Sequence, residues 1–215
     1  MTPRNSALVH LLAIASTLIV VHDSKADVQI DPYVGLHAGI YIWPAYSNRD
    51  EVEADAEPGY QWGLVGGVNF ETDSASDEAP AAIDRLGTRL ELEVGQRFSG
   101  LHGINDGPVQ RTGDGKNLQA TSVSFNLWPS VRISQACRFY AGGGGGGTWI
   151  RALGSDKRVW SAQTGLGFLI DVPVLGHDAR VDLGWRSFFA NSTKLRDALA
   201  DFDAHGAILG LHFDF

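Results

Sequence analysis

A single cysteine, Cys137, stands in this chain of 215 residues. One thiol cannot form an intramolecular disulfide, so the fold is not held together by a sulfur framework. Long apolar runs are also missing beyond residue 26, where no stretch approaches the roughly 18 residues of a membrane-spanning helix. These two absences exclude a disulfide-rich secreted scaffold and a mature protein anchored by a hydrophobic helix.

The N-terminal region has the layout of a secretory signal peptide. An early arginine precedes an apolar stretch over residues 7–21, and the small residues Ser24 and Ala26 occupy the −3 and −1 positions of a cleavage site. The apolar stretch is shorter than the roughly 20 residues that cross a bilayer as a helix. We therefore expect removal of 1–26 and a single mature domain over 27–215.

Positive charge is scarce in the mature chain. The full chain carries 17 basic and 25 acidic residues, and removal of the N-terminal segment takes away two basic residues and one acidic residue. The remaining 15 basic and 24 acidic residues give a net charge of −9. An acidic chain without a basic stripe is a poor ligand for nucleic acid, so no nucleic-acid partner is expected.

What the mature chain does contain is alternation of apolar with polar or small residues. A period of two is typical of β-strands whose two faces meet different surroundings. Eight segments follow this pattern, and turn-rich stretches separate them: 33–43, 59–71, 86–98, 121–128, 138–150, 159–170, 180–190 and 204–215. An even number of long strands joined in sequence predicts an all-β, antiparallel, up-and-down barrel of eight strands. Residues 194–202 are compatible with about two turns of helix.

Charged residues indicate which face of the strands points inwards. Alternation by itself is equally compatible with a soluble, lipocalin-like barrel, in which the apolar set lines the interior. However, charges of both signs alternate with glycines on one face, which is the composition of a narrow lumen, and such charges are tolerated when they are paired. We predict a lumen ion-pair network of six residues, with large apolar residues facing lipid: Arg89, Glu91, Glu93, Arg97, Asp182 and Arg186. Aromatic residues near strand ends resemble interfacial girdles: Trp43, Tyr60, Trp128, Trp149, Trp160 and Phe189.

The last segment, GAILGLHFDF, resembles the C-terminal signature of Gram-negative outer-membrane β-barrels. Two further stretches, LGTRLELEVGQRF and VDLGWRSFF, resemble the third and penultimate strands of small barrels of the opacity-protein and OmpA/OmpX class. The resemblance implies a monomeric, eight-stranded transmembrane β-barrel in the cell outer membrane, with external loops at about 44–58, 99–117, 151–158 and 191–203. It also implies contact with outer-membrane lipids and lipopolysaccharide, and it leaves the loops available to an extracellular partner. The barrel-assembly machinery would recognise Leu211, Phe213 and Phe215.

Members of this class serve in adhesion, envelope integrity or narrow conductance, and the sequence does not choose among these roles. We expect a non-enzymatic protein with one of them. The alternatives are a barrel enzyme that acts on lipid A or phospholipid, and a soluble binder of an apolar ligand.

Catalytic and metal-binding patterns are weak. Glu91 and Glu93 have the spacing of an acid/base pair, but the arginines beside them favour a structural ion-pair role. The His-x-Ser pattern of lipid A deacylases does not occur within the mature chain, 27–215. The five histidines of the mature chain do not have metal-ligand spacing, so neither a metal nor a cofactor is expected.

Six consecutive glycines occupy positions 142–147. A phosphate-binding loop requires a βαβ context that is missing here, and a linker requires a second domain. We therefore interpret the run as part of the fifth strand, in which the lack of a side chain leaves room for bulky neighbours. Valine at 142, 144 and 146 should disrupt one face of the strand far more than valine at 143, 145 and 147.

Overall fold

A computed structural model describes residues 27–43, 46–47, 52–73, 86–106, 109–112, 117–152, 155–174, 177–195 and 198–215. The predicted signal peptide over 1–26 and the connection over 74–85 lie outside the described residues. Among the described residues, none form a helix long and apolar enough to cross a membrane.

Eight long strands make up the wall of the molecule. They are β1 (Asp27–Ile42), β2 (Gly59–Asp73), β3 (Leu86–Asp106), β4 (Asn117–Ser134), β5 (Cys137–Ala152), β6 (Ser155–Val174), β7 (His177–Leu195) and β8 (Ala198–Asp214). Each strand pairs antiparallel with its neighbours in sequence. The first strand also pairs with the last, from Tyr33 opposite Asp214 to Ile42 opposite His205, which closes the sheet. The all-β, antiparallel, up-and-down barrel of eight strands is thus confirmed.

The two ends of the barrel differ in their connections. At the end where β1 finishes and β2 begins, here called the loop end, the chain makes its four predicted loops. At the opposite end, here called the turn end, β4 and β5 are joined by a tight turn at residues 135 and 136. The stretch 129–136, which is rich in turn-forming residues, is therefore mostly strand.

Strands extend further into the predicted loops than the alternation indicates. The third strand continues to Asp106 and is joined by the short strands Val52–Ala56 and Val109–Thr112, while Tyr46–Ser47 pairs with the first of these. The helix expected over 194–202 is wrong, because Lys194 pairs with Leu199 in a continuation of the β7 and β8 ladder. Hydrogen bonding between strands maintains these extensions, and such pairing leaves no mark in the alternation of a single segment.

The outer face of the wall is apolar. Aliphatic and aromatic side chains are exposed along its whole height, for example Ile40 at 68 % and Trp160 at 72 % of their surface. Tyr60, Trp149, Trp160 and Phe189 point outwards near the loop end and are consistent with one aromatic girdle. Two residues assigned to girdles do not belong there, because Trp43 and Trp128 are buried inside the barrel at 6 % and 0 % exposure.

The interior is packed in three layers. Nearest the loop end lies an apolar cluster, here called the loop-end plug, made of Tyr41, Trp43, Leu118, Ala120, Ile150, Ala152, Phe188, Ala190 and Ala204. The middle layer is charged and polar, and a second group of ion pairs lies at the turn end. An eight-stranded barrel has an interior just wide enough to be filled by side chains, as it is here.

Candidate functional sites in the lumen and on the wall

Six charged residues form the middle layer, here called the central cluster: Arg89, Glu91, Glu93 and Arg97 of β3 with Asp182 and Arg186 of β7. They occupy alternate positions on their strands, so every side chain points inwards. All six are between 1 % and 4 % exposed. Since β3 and β7 stand on opposite sides of the barrel, the charges meet across the lumen, with Arg89 Nη2 3.5 Å from Asp182 Oδ2. Three cations and three anions leave the cluster formally neutral.

Glu91 is held by four partners from three strands. Its Oε2 accepts a hydrogen bond from the Tyr33 hydroxyl at 2.9 Å and lies 3.5 Å from Arg89 Nε. Its Oε1 accepts from Asn126 Nδ2 and from Trp128 Nε1, both at 3.2 Å. Both carboxylate oxygens therefore have two partners.

Glu93 is held in the same manner. Its Oε2 accepts from Gln163 Nε2 at 2.6 Å and from Asn126 Nδ2 at 3.1 Å. Its Oε1 lies 3.5 Å from His37 Nε2 and 3.8 Å from Arg97 Nη2. Because the wall occupies all four oxygens of the two glutamates, neither carboxylate is presented to a substrate as an acid or a base.

Aromatic rings cover the arginines. The guanidinium carbon of Arg186 lies 3.8 Å from the centre of the Trp128 ring, and that of Arg97 lies 4.2 Å from the centre of the Phe188 ring. Some guanidinium nitrogens, including Arg186 Nε and Nη1, make no hydrogen bond among the described residues. Stacking on aromatic faces compensates part of the desolvation of these cations.

Several interior partners were missed by a search for charged residues. Tyr33, Tyr140, Asn126 and Gln163 all donate to cluster carboxylates, and Tyr140 does so to Asp182 at 2.6 Å. Each stands on the polar or glycine-bearing set of its strand. Assigning alternate residues of each strand to the interior would therefore have identified them.

The turn end carries a second ion-pair group, centred on Glu71. Its Oε2 accepts from Arg138 at 2.7 Å and from Arg132 at 3.0 Å. Arg180 Nε lies 3.2 Å from Asp214 and 3.3 Å from Asp171. Each residue comes from the end of a different strand, so sequence spacing does not reveal the group.

An exposed pair on the β5 and β6 hairpin offers a contrast to these buried groups. Arg151 Nε donates to Asp156 Oδ1 at 2.8 Å, and both side chains are 69 % exposed. This hydrogen bond lowers the pKa of the Asp156 carboxyl. Such exposed pairs contribute little to stability.

The glycines of β5 alternate between two environments. A Cβ at Gly142, Gly144 or Gly146 would point inwards and collide with the backbone of β4, at Leu127, Phe125 and Val123 respectively. At Gly144 it would also meet the side-chain oxygen of Asn126. The inner glycines therefore allow the backbone of β4 to approach closely, and Gly144 also makes room for Asn126, which holds both glutamates.

A hydrogen-bonded polar pair interrupts the apolar outer face near the loop end. Ser187 of β7 lies directly opposite His205 of β8, and its Oγ is 2.9 Å from His205 Nδ1. The edge of the Phe189 ring packs against the histidine, with ring centres 6.0 Å apart. Serine and histidine are 18 positions apart, so the His-x-Ser pattern along one strand does not detect them.

No group of three or more His, Cys, Asp or Glu side chains could hold a metal ion within the part of the chain that the structure describes. Cys137 is a free thiol at the start of β5. On β8, Leu211 and Phe213 are half-buried on the outward row, and Phe215, just beyond the strand, is 75 % exposed.

Several solved structures are similar to this chain. The attachment invasion locus protein Ail of Yersinia pestis, in complex with the heparin analogue sucrose octasulfate, is 14% identical with a TM-score of 0.45, covering 89% of this chain and 100% of that chain. Neisserial surface protein A is 11% identical with a TM-score of 0.45 and the same coverage. The outer membrane protein OprG from Pseudomonas aeruginosa is 13% identical with a TM-score of 0.37, covering 89% and 96%. No protein-family model matches the chain, and curated proteins gave no match either.

At 11–14% identity such likenesses concern the fold alone. What identifies the type of barrel is the geometry of this chain, with apolar side chains outside, paired charges inside and a sheet closed by its first and last strands. In a soluble barrel the apolar set would line the interior instead. The protein is an eight-stranded β-barrel of the outer-membrane type.

Proposed function

We propose that the protein is a closed barrel of the bacterial outer membrane that does not conduct solutes and acts through its wall and its external loops. The observation that carries the proposal is the filled lumen. The loop-end plug, the central cluster and the turn-end ion pairs follow one another along the barrel axis.

The plug supports a role other than conductance. Its large members Tyr41, Leu118, Ile150 and Phe188 are 1–2 % exposed, so the loop-end mouth is sealed by close-packed apolar groups. Below it, charged residues bind one another rather than line a water-filled channel. Of the roles that the resemblance implies, envelope integrity and surface interaction therefore fit better than a narrow pore. The central cluster is structural in this proposal, and we assign it no catalytic role.

The direction of insertion follows from the connections. We place the turn end in the periplasm and the loop end outside, because the 43–58 connection and the extensions of β3, β7 and β8 all lie at the loop end. An extracellular partner would contact these segments. The apolar wall would contact outer-membrane lipids, and the loop-end girdle would lie at the level of lipopolysaccharide.

Assembly depends in this proposal on the outward row of β8. Leu211, Phe213 and Phe215 present apolar side chains on the lipid-facing side, where the barrel-assembly machinery would meet them. The barrel is proposed to act as a monomer after cleavage behind Ala26. Replacing Phe215 by Ala should reduce the folded fraction recovered from outer membranes, whereas Phe70→Ala, an outward change on β2, should leave it unchanged.

Membrane fractionation combined with gel migration before and after heating tests the placement. We expect the protein in the outer-membrane fraction of a Gram-negative host, with a band that shifts on heating because the barrel resists detergent until it is boiled. A freely soluble protein would contradict the proposal and favour a lipocalin-like binder.

A further inference from the structure

A row of polar side chains crosses three strands of the lipid-facing wall close to the loop end. Thr164 of β6, Ser187 of β7 and His205 of β8 stand opposite one another in the strand register, all on the outward face. Ile42, Trp185 and Phe189 are exposed around them, and Asp203 stands two residues from His205 on the outward row of β8, opposite Phe189. Polar groups on a lipid-facing wall are costly, and ionisable ones within the membrane are functional sites by default.

Two members of this row have the geometry of a nucleophile and its base. Ser187 Oγ and His205 Nδ1 are 2.9 Å apart, within the range in which a histidine takes a proton from a serine hydroxyl. Both side chains are half-buried, so a substrate approaching along the wall can reach them. The Phe189 ring packs against the imidazole and limits its rotation. A catalytic pair requires this combination of proximity, access and fixed orientation.

The level of the pair on the barrel indicates the substrate. Phe189, two residues beyond Ser187, belongs to the aromatic girdle, which marks the boundary between hydrocarbon and headgroups. Ester bonds of membrane lipids lie at this boundary, with their acyl chains along the wall and their headgroups towards the loops. An oxygen ester of a lipid with one chain against the wall would thus place its carbonyl beside Ser187.

We infer that Ser187 and His205 form an acyl-ester hydrolysis site for membrane lipids on the outer wall of the barrel, a role that goes beyond the closed-barrel function proposed above. Ser187 Oγ attacks the ester carbonyl carbon while His205 accepts the hydroxyl proton. The carbon–oxygen ester bond then breaks, and His205 returns the proton to the alcohol oxygen that leaves. A water molecule hydrolyses the acyl-serine in a second step, which releases a fatty acid and restores the hydroxyl.

The test measures fatty-acid release by the folded, full-length mature barrel. One arm uses vesicles of phosphatidylethanolamine and phosphatidylglycerol, and the other uses lipopolysaccharide, so the two sources of lipid ester are distinguished by mass spectrometry of the products. We expect release in one arm, loss of release in Ser187→Ala, and a decrease of about 10²-fold to 10⁴-fold in His205→Ala, the contribution of a general base.

A matched control comes from another outward pair across two strands. Gln96 Nε2 donates to Thr121 Oγ1 at 3.5 Å on the wall between β3 and β4. This pair contains a hydroxyl but no histidine that could accept its proton. Thr121→Ala should retain full release. Gel migration before and after heating shows for each variant whether the barrel is folded.

A second measurement tests the reactivity of the Ser187 hydroxyl without a lipid substrate. A fluorophosphonate should label Ser187 in the folded barrel. Labelling should be lost on boiling. The inference is overturned if the folded protein releases no fatty acid from either lipid, or if Ser187→Ala releases as much as the original chain.

Discussion

At the scale of single residues, the interior is organised around carboxylates whose oxygens are shared between several donors. Glu91 receives hydrogen bonds from Tyr33, Asn126 and Trp128, and Glu93 receives them from Asn126 and Gln163. Asn126 bridges the two glutamates. A buried carboxylate is costly unless it is paired and hydrogen-bonded, and loss of one partner leaves the others uncompensated.

Glu91→Gln should therefore destabilise the barrel. The change keeps the shape of the side chain but removes the negative charge beside Arg89, and breaking a buried ion pair costs about 3–5 kcal/mol. The measurement is urea unfolding in detergent, followed by tryptophan fluorescence. Arg151→Ala, which breaks the exposed pair with Asp156, is the control and should not change the urea midpoint. An unchanged midpoint for Glu91→Gln would show that the central cluster is not structural.

Tyr140→Phe tests a second carboxylate of the cluster, Asp182. The substitution deletes only the hydroxyl that donates to Asp182 at 2.6 Å, and a hydrogen bond to a charged group contributes about 1.5–3 kcal/mol. We expect a loss of unfolding free energy of this size in the same urea experiment. Tyr60→Phe removes an equivalent hydroxyl from the outer face, where the residue is exposed, and should have no effect. Equal unfolding curves for the two variants would contradict the account.

At the scale of elements, β5 is the strand with the most unusual composition. Its inner glycines lie against the backbone of β4, whereas its outer glycines differ from one another in the space around them. A Cβ at Gly147 would meet only the side chain of Arg158, at 3.9 Å, and one at Gly145 would meet Ser161 O at 3.2 Å. Gly143 is different, because a Cβ there would collide with the Gln163 carbonyl. The outer glycines therefore do not all tolerate an added side chain.

Alanine substitutions test this asymmetry. Gly144→Ala should destabilise by about 1–3 kcal/mol, the usual cost of forcing extra atoms into a packed interior. Gly147→Ala should instead stabilise by about 0.4–1 kcal/mol, because it restricts the unfolded chain without a clash. Urea unfolding of the folded barrel measures both changes in free energy. Equal losses at the two positions would show that the inner and outer faces of β5 are wrongly assigned.

How far the elements follow from the sequence depends on what each residue contacts. Alternation predicted eight strands, and it placed the charges of β3 and β7 on one face because burial has a period of two. It did not detect strand pairing beyond the wall, so the prediction of a helix over 194–202 was wrong. It also missed the pair of Ser187 and His205, because register between strands, rather than spacing within one, brings these residues together.

At the scale of the whole molecule, the barrel reverses the usual distribution of polarity. Charges that would be costly in lipid are gathered in the lumen, where Arg89 and Asp182 meet from opposite walls. Apolar side chains cover the outside, and an apolar plug seals the loop end. Among the described strands, closure of the sheet by β1 and β8 leaves no free edge in the wall, as a membrane-spanning sheet requires.

Planar-bilayer recording of the purified, folded mature protein tests this account most directly. A filled lumen predicts insertion without conductance steps, at either polarity and at high salt, while a general porin in the same bilayer conducts. The expected result is a flat current trace, with insertion verified by the heat-shifted gel band of protein recovered from the membrane. Reproducible unitary steps from the folded barrel would contradict the closed lumen and would identify the protein as a narrow pore.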